Sequence, residues 1–204
     1  MAKIQTVDYE KMPSEAKQMR QEGNALNNEM TNAYNRVKEM HSSWYGKRYN
    51  ELAKSFNGMV PQLNELLELV VREIPSTLET IANNYSQADR GQNATTVDNT
   101  SAKKIENIPI TEDVGMRFIT STVESIQQQV ETNFQNAVEQ MNKIESIFNK
   151  VTWESEAADA FKSKFAKLKS NIIESFNNIK SQFTKLMNQT KEDVQSAESA
   201  NTVQ

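Results

Sequence analysis

Apolar positions recur along this chain at steps of three and four, the spacing of one helical face. Downstream of Trp44 they fall at Leu52, Phe56, Met59, Leu63, Val70 and Ile74. Downstream of Trp153, 109 positions later, the same offsets carry Phe161, Phe165, Leu168, Ile172, Ile179 and Phe183. A pattern repeated at a fixed period predicts two copies of one unit, each with a tryptophan introducing a long amphipathic helix.

A second stripe precedes each tryptophan. Met19, Leu26, Met30, Ala33, Val37 and Met40 predict a first helix opening near Pro13 and Ser14, with Glu15 in its first turn. Gly23 inside it weakens that helix by about 1 kcal/mol relative to alanine. The chain then reverses through His41-Ser42-Ser43-Trp44-Tyr45-Gly46, and the second helix runs from Lys47 to about Ala88, with Leu67, Leu78 and Ile81 extending its stripe. Pro61 and Pro75 lie inside it, and each removes a backbone donor, which predicts a bend or break at one or both. Residues 90–111 are polar and aperiodic, a flexible linker. Thr111 followed by Glu112 and Asp113 reads as an N-cap with acids in the first turn, so the third helix is expected from there. Its stripe is Ile119, Val123, Ile126, Val130, Phe134, Ala137, Met141, Ile144 and Phe148; it reverses around Lys150 to Ser155, and the fourth helix continues through Met187 toward Val194.

The expected organisation is a helical hairpin over 12–89, the linker 90–111, a second hairpin over 112–194 and a fraying tail over 195–204. Each hairpin alone would expose an apolar stripe some forty residues long. Two in one chain can bury each other's stripes, so the expected fold is all-α, two long hairpins packed as an antiparallel four-helix bundle.

Composition narrows the function. The net charge is −4, with 11 Lys/Arg against 13 Asp/Glu in residues 1–100 and 12 against 14 in 101–204, so no basic face for nucleic acid is indicated. Lys162, Lys164, Lys167 and Lys169 follow Glu154, Glu156 and Asp159 on one helix and read as a solvated face. There is no cysteine, and Met1 to Tyr9 lacks the apolar core of a secretory signal. No segment approaches the roughly 20 apolar residues of a membrane span, so a soluble protein is expected. His41 is the single histidine, which excludes histidine dyads, paired-histidine metal sites and the two Glu-x-x-His motifs of di-iron bundles within one chain. It is expected to face solvent or cap the first helix. Five scattered glycines form no phosphate-cradling loop. The expectation is a non-enzymatic protein with no cofactor and no metal.

What remains are the two turns and the end of the second helix. Trp44-Tyr45-Gly46 between two long helices resembles the turn of the WXG family, the ESAT-like or Esx small proteins exported by the type VII secretion system, which are helical hairpins that pair as antiparallel dimers. Both halves resemble that plan, the second through Trp153-Glu154-Ser155, with Ser155 where the family has glycine. The first half keeps Gly46 but has Arg48 where the family usually has a small residue. Many exported members carry Tyr-x-x-x-Asp/Glu after the second helix, and Tyr85-Ser86-Gln87-Ala88-Asp89 is similar to it; the aligned Val194 and Glu198 of the second half lack the tyrosine.

The resemblance implies a fused pseudo-heterodimer, exported without a signal peptide from the cytoplasm and recognised by the secretion ATPase through a surface of Tyr85, Asp89 and the adjacent turn at Trp153. It implies pairing with another WXG protein or a toxin, or hairpin exchange into a homodimer, as further options. The alternative reading is a cytosolic adaptor or chaperone that presents a larger toxin to the same machinery. A membrane-active or host-binding effector has only the amphipathic helices in its favour, and the core explains those better.

Overall fold

In a computed structural model that describes residues 7–201, the chain is an all-α bundle. Helix α1 (Met12–Met40) is followed by a two-residue strand β1 (Trp44–Tyr45), α2 (Lys47–Glu68), a π-helical turn (Leu69–Glu73) and α3 (Ile74–Arg90). A long non-helical segment leads to strand β2 (Arg117–Phe118), then α4 (Thr120–Lys150) and α5 (Glu156–Ala200). Helix α1 packs chiefly on α4 and α2 on α5. Both pairs are antiparallel. Glu22 meets Lys143 and Arg36 meets Asn133 across the first, while Arg48 meets Asp193 and Glu65 meets Lys164 across the second.

The four stripes meet in the middle. Met19, Leu26, Phe56, Leu63, Val123, Met141, Ile172 and Phe183 are all essentially inaccessible to solvent. One aromatic ring from each long helix reaches the centre: Tyr34 stands edge-on to Phe56 at 5.4 Å, Phe56 lies 5.9 Å from Phe134, and Phe134 stacks on Phe176 at 4.1 Å. Burial raises the Tyr34 hydroxyl's pKa, and its proton goes to the Phe56 carbonyl at 2.6 Å.

Pro61 is accommodated inside α2, whereas Pro75 is preceded by the π turn. Pro75 has no N–H to give to the Val71 carbonyl four residues back. The backbone widens by one residue, Ile74 N–H bonds Leu69 O, and the freed Val71 carbonyl accepts from Arg20 Nε at 3.1 Å. The same guanidinium pairs with buried Glu79 at 2.9 Å and donates to Asp98 O at 2.9 Å. Gly23 makes this approach possible: a Cβ there would stand 2.9 Å from Val71 Cγ2 and 3.0 Å from Val70 Cγ2.

Two boundaries differ from the sequence expectation. The third helix begins at Thr120 instead of Thr111, because the polar residues that resemble a cap are used elsewhere. Asp113 bonds His41 Nε2 at 2.7 Å, Thr111 Oγ1 lies 3.0 Å from the same nitrogen, Gly115 turns the chain at φ +99°, and β2 pairs with β1. The tail expected to fray from 195 is helical to Ala200, although every side chain from Gln195 to Asn201 is exposed; residues 202–204 lie outside those described.

The linker is ordered as a strap along the first hairpin. Asn50, Asn57 and Asn64, one heptad apart on α2, hold Thr111, Ile108 and Ile105, three residues apart on the strap. Seven helical residues advance about 10.5 Å and three extended ones about 10 Å, so the two repeats stay in step. Beyond them Glu68 accepts from the Ala102 N–H at 2.9 Å, Glu79 from Asp98 N–H at 2.8 Å and Asn83 from Thr95 N–H at 2.9 Å.

Candidate functional site: the hairpin turns and the first tail

The first turn is built by the end of α1, β1 and the start of α2. Ser43 and the two strand residues are tied to the segment before α4: Trp44 pairs with Phe118, Tyr45 with Arg117, and the Ile119 N–H donates to Ser43 O at 2.9 Å. Trp44 is a core residue. At 1 % exposure its ring stacks on Phe183 at 6.0 Å and meets Phe118 at 5.6 Å and Tyr49 at 6.4 Å edge-on. Gly46 has φ +112° and starts α2 without a side-chain cap, a conformation that strains any residue with a Cβ. Arg48, where the family resemblance leads one to expect a small residue, pairs with Asp193 of α5 at 3.5 Å. Around this turn Tyr45, Gly46, Met116, Thr190 and Asp193 line a shallow cleft of about 270 Å³.

His41 caps α1 with its backbone N–H and pins the strap with its ring. The hydrogen bond from His41, and then that from the Thr111 hydroxyl, hold the Asp113 carboxyl below its ordinary pKa of 3.8. Tyr49, under the His41 ring at 5.0 Å, is pushed up to about 12 by burial and donates to Val37 O at 3.2 Å.

The second turn is built differently. Ser155 is extended at φ −159°, which any residue adopts, and its hydroxyl oxygen accepts the Ala158 N–H at 3.1 Å as an N-cap for α5. A serine therefore replaces glycine here without strain. Trp153 is 8 % exposed and packs against Phe161, 6.2 Å away.

Tyr85 and Asp89 lie one turn apart near the end of α3, which closes at Gly91 in the left-handed conformation. Tyr85 is 38 % exposed, so it is not part of the buried stripe, whereas its neighbours Ala82 and Ser86 are buried. Asp89 accepts from the Tyr9 hydroxyl and is paired with Arg90 at 3.5 Å; Arg90 also pairs with Glu10 and sits over the Tyr9 ring at 5.5 Å. The groups holding Asp89 thus belong to the first hairpin and its lead-in, not to the turn at Trp153. Sequence reasoning missed this clasp, the Arg20–Glu79 pair and the asparagine series; for the last, the spacing 50, 57, 64 was the available signal.

Among the described residues no group of acidic, histidine or cysteine side chains is placed to hold a metal ion, and no helix is long and apolar enough to cross a membrane. No curated protein and no solved structure matches the chain. Residues 5–90 match the family model described as "Proteins of 100 residues with WXG". That family consists of small helical proteins, generally not enzymes, that are associated with type VII secretion, leave the cell without signal peptides and typically pair with other WXG proteins. The span matched is the first hairpin, α1 to α3, with Trp44 and Gly46 at its turn and Tyr85 and Asp89 at its end, and over that span the chain is similar to the WXG family.

Proposed function

We propose that the chain is a non-enzymatic substrate of a type VII secretion system, a fused pseudo-heterodimer whose second hairpin stands in for the separate partner, and that the secretion ATPase recognises it at Tyr85 and Asp89. The observation that supports this most is the exposure of Tyr85. An aromatic ring left 38 % open beside a carboxylate one turn away, at the end of the family-matching hairpin, presents a combined apolar and acidic feature to a partner. The turn residues Trp44, Gly46, Trp153 and Ser155 act in this reading through shape: they close the two ends of the bundle so that α3 is held rigidly.

Export is tested by comparing culture supernatant with lysate for the wild type, Tyr85→Ala and Asp89→Ala. Both variants should lose most secretion while keeping their circular dichroism and melting temperature, since neither side chain is buried. Normal export of both folded variants would sink the assignment of the signal. A wild-type chain that stays in the lysate while a co-expressed toxin is exported in its presence would favour the adaptor reading instead.

A further inference from the structure

The strap is held in an unusual way for a linker, mainly through its backbone. Asn57 donates to Ile108 O at 2.9 Å and accepts from Ile108 N–H at 2.7 Å; Asn64 does the same with Ile105 at 3.0 and 2.8 Å. Each side-chain amide therefore behaves as one peptide unit of a neighbouring strand. From the α1 side, Asn27 donates to Lys103 O at 2.6 Å. Only two strap side chains are deeply buried, Ile105 and Ile108, three residues apart. Pro109, which has no N–H, falls at a position where none is read.

We propose that the face between α1 and α2 is a peptide-binding groove that reads the backbone of an extended polypeptide with apolar side chains three residues apart, and that residues 95–111 are its resident, displaceable occupant. Three further observations support this. The fit is incomplete: Asn50 donates to Thr111 O, but its own buried side-chain oxygen has no partner among the described residues, so the resident strap leaves this third rung half made although Thr111 carries an N–H, and a segment seated closer there would complete it. A cleft of about 220 Å³ stays open beside the strap, lined by Thr31, Tyr34, Asn35 and Lys38, which leaves room for side chains larger than those present. The groove also belongs to one hairpin only, since the positions 109 residues on from the three asparagines are Asp159, Ala166 and Ile173. Two buried isoleucines and a row of hydrogen bonds that water can replace oppose the ordering entropy of the whole segment, which is the balance of an exchangeable contact. None of this depends on export or on Tyr85.

The probe is a fluorescent peptide of residues 95–111, and the protein is the full chain. Ile105→Asp with Ile108→Asp releases the resident strap and opens the groove. This double variant is expected to bind the peptide, and the wild type roughly a hundredfold more weakly, because its own strap competes at high effective concentration. Adding Asn57→Ala and Asn64→Ala should abolish binding, and so should placing proline at 108 in the peptide. A folded double variant that takes no peptide, or binding that survives loss of both amides, overturns the proposal. Should the double variant fail to fold, hydrogen exchange on the wild type decides: the Ile105 and Ile108 amides should exchange at least about tenfold faster than those of Phe56 and Phe134. Equal protection would mean that the strap opens only when the bundle does, which also overturns it.

Discussion

Two glycines inside helices make a matched experiment. By helix propensity alone, Gly23→Ala in α1 and Gly58→Ala in α2 should each stabilise the protein by about 1 kcal/mol. The structure separates them. A Cβ on Gly58 meets nothing within 4 Å and the position is exposed, so the full gain of about 1 kcal/mol is expected there. At Gly23 the new methyl would stand 2.9 Å from Val71 Cγ2 and 3.0 Å from Val70 Cγ2. Those are branched side chains, stiff at χ1, at 2 % and 0 % exposure in the π turn, so neither can swing away cheaply. Overpacking of this kind costs about 1–3 kcal/mol, which outweighs the propensity gain and leaves Gly23→Ala destabilised by up to about 2 kcal/mol. Urea unfolding followed by circular dichroism measures both, and for a chain of this size each kcal/mol moves the melting temperature by about 2–4 °C. Equal stabilisation by both substitutions would refute the claim that α1 is pressed against the π turn, and with it the account of how Arg20 reaches the Val71 carbonyl.

The two turns should differ in how much a change at the turn residue costs. Gly46→Ala forces a Cβ onto φ +112° and should cost about 1–3 kcal/mol, whereas Ser155→Gly, at an extended residue, should cost only a few tenths for the weakened cap; comparable losses in thermal melts would contradict the distinct geometries. Asp113 titrates below its ordinary 3.8, so its contribution to stability is fully present above that value and is lost as pH falls through the lower folded value. The stability difference between wild type and Asp113→Asn should therefore shrink on going from about pH 5 to about pH 3, and a difference constant over that range would show that the His41 contact contributes nothing.

The bundle was legible because its signal is repetitive. Thirty residues of three-and-four spacing after each tryptophan leave few alternatives, and residues such as Phe56, Leu63, Ile172 and Phe183 are in the core for the reason the pattern gives. What was not legible depends on contacts between residues far apart in sequence. Thr111, Glu112 and Asp113 carry a sound local cap signal, yet His41, some seventy positions earlier, takes Asp113 for itself. Gly23 reads locally as a weakness and is, in three dimensions, the condition for α1 to meet the π turn. Likewise Tyr85 and Asp89 are readable as a motif, but the clasp that Tyr9 and Arg90 place on Asp89 requires the chain to have folded back first.

The irregular features are not shared evenly between the hairpins, and their distribution bears on which half is specialised. Every glycine in the sequence lies at or before Gly115, the π turn and the positive-φ glycines belong to the first hairpin or to the segment between it and β2, and the asparagines that grip the strap are on α1, α2 and α3. The second hairpin has two uninterrupted helices, a turn capped by an ordinary serine and no strap of its own. A partner whose task is to bury an apolar stripe needs only that regularity. A hairpin proposed to bind a partner as well carries more than regularity: the exposed Tyr85 ring, the π turn and Gly46 and Gly91 at positive φ all lie on the half that matches the WXG family.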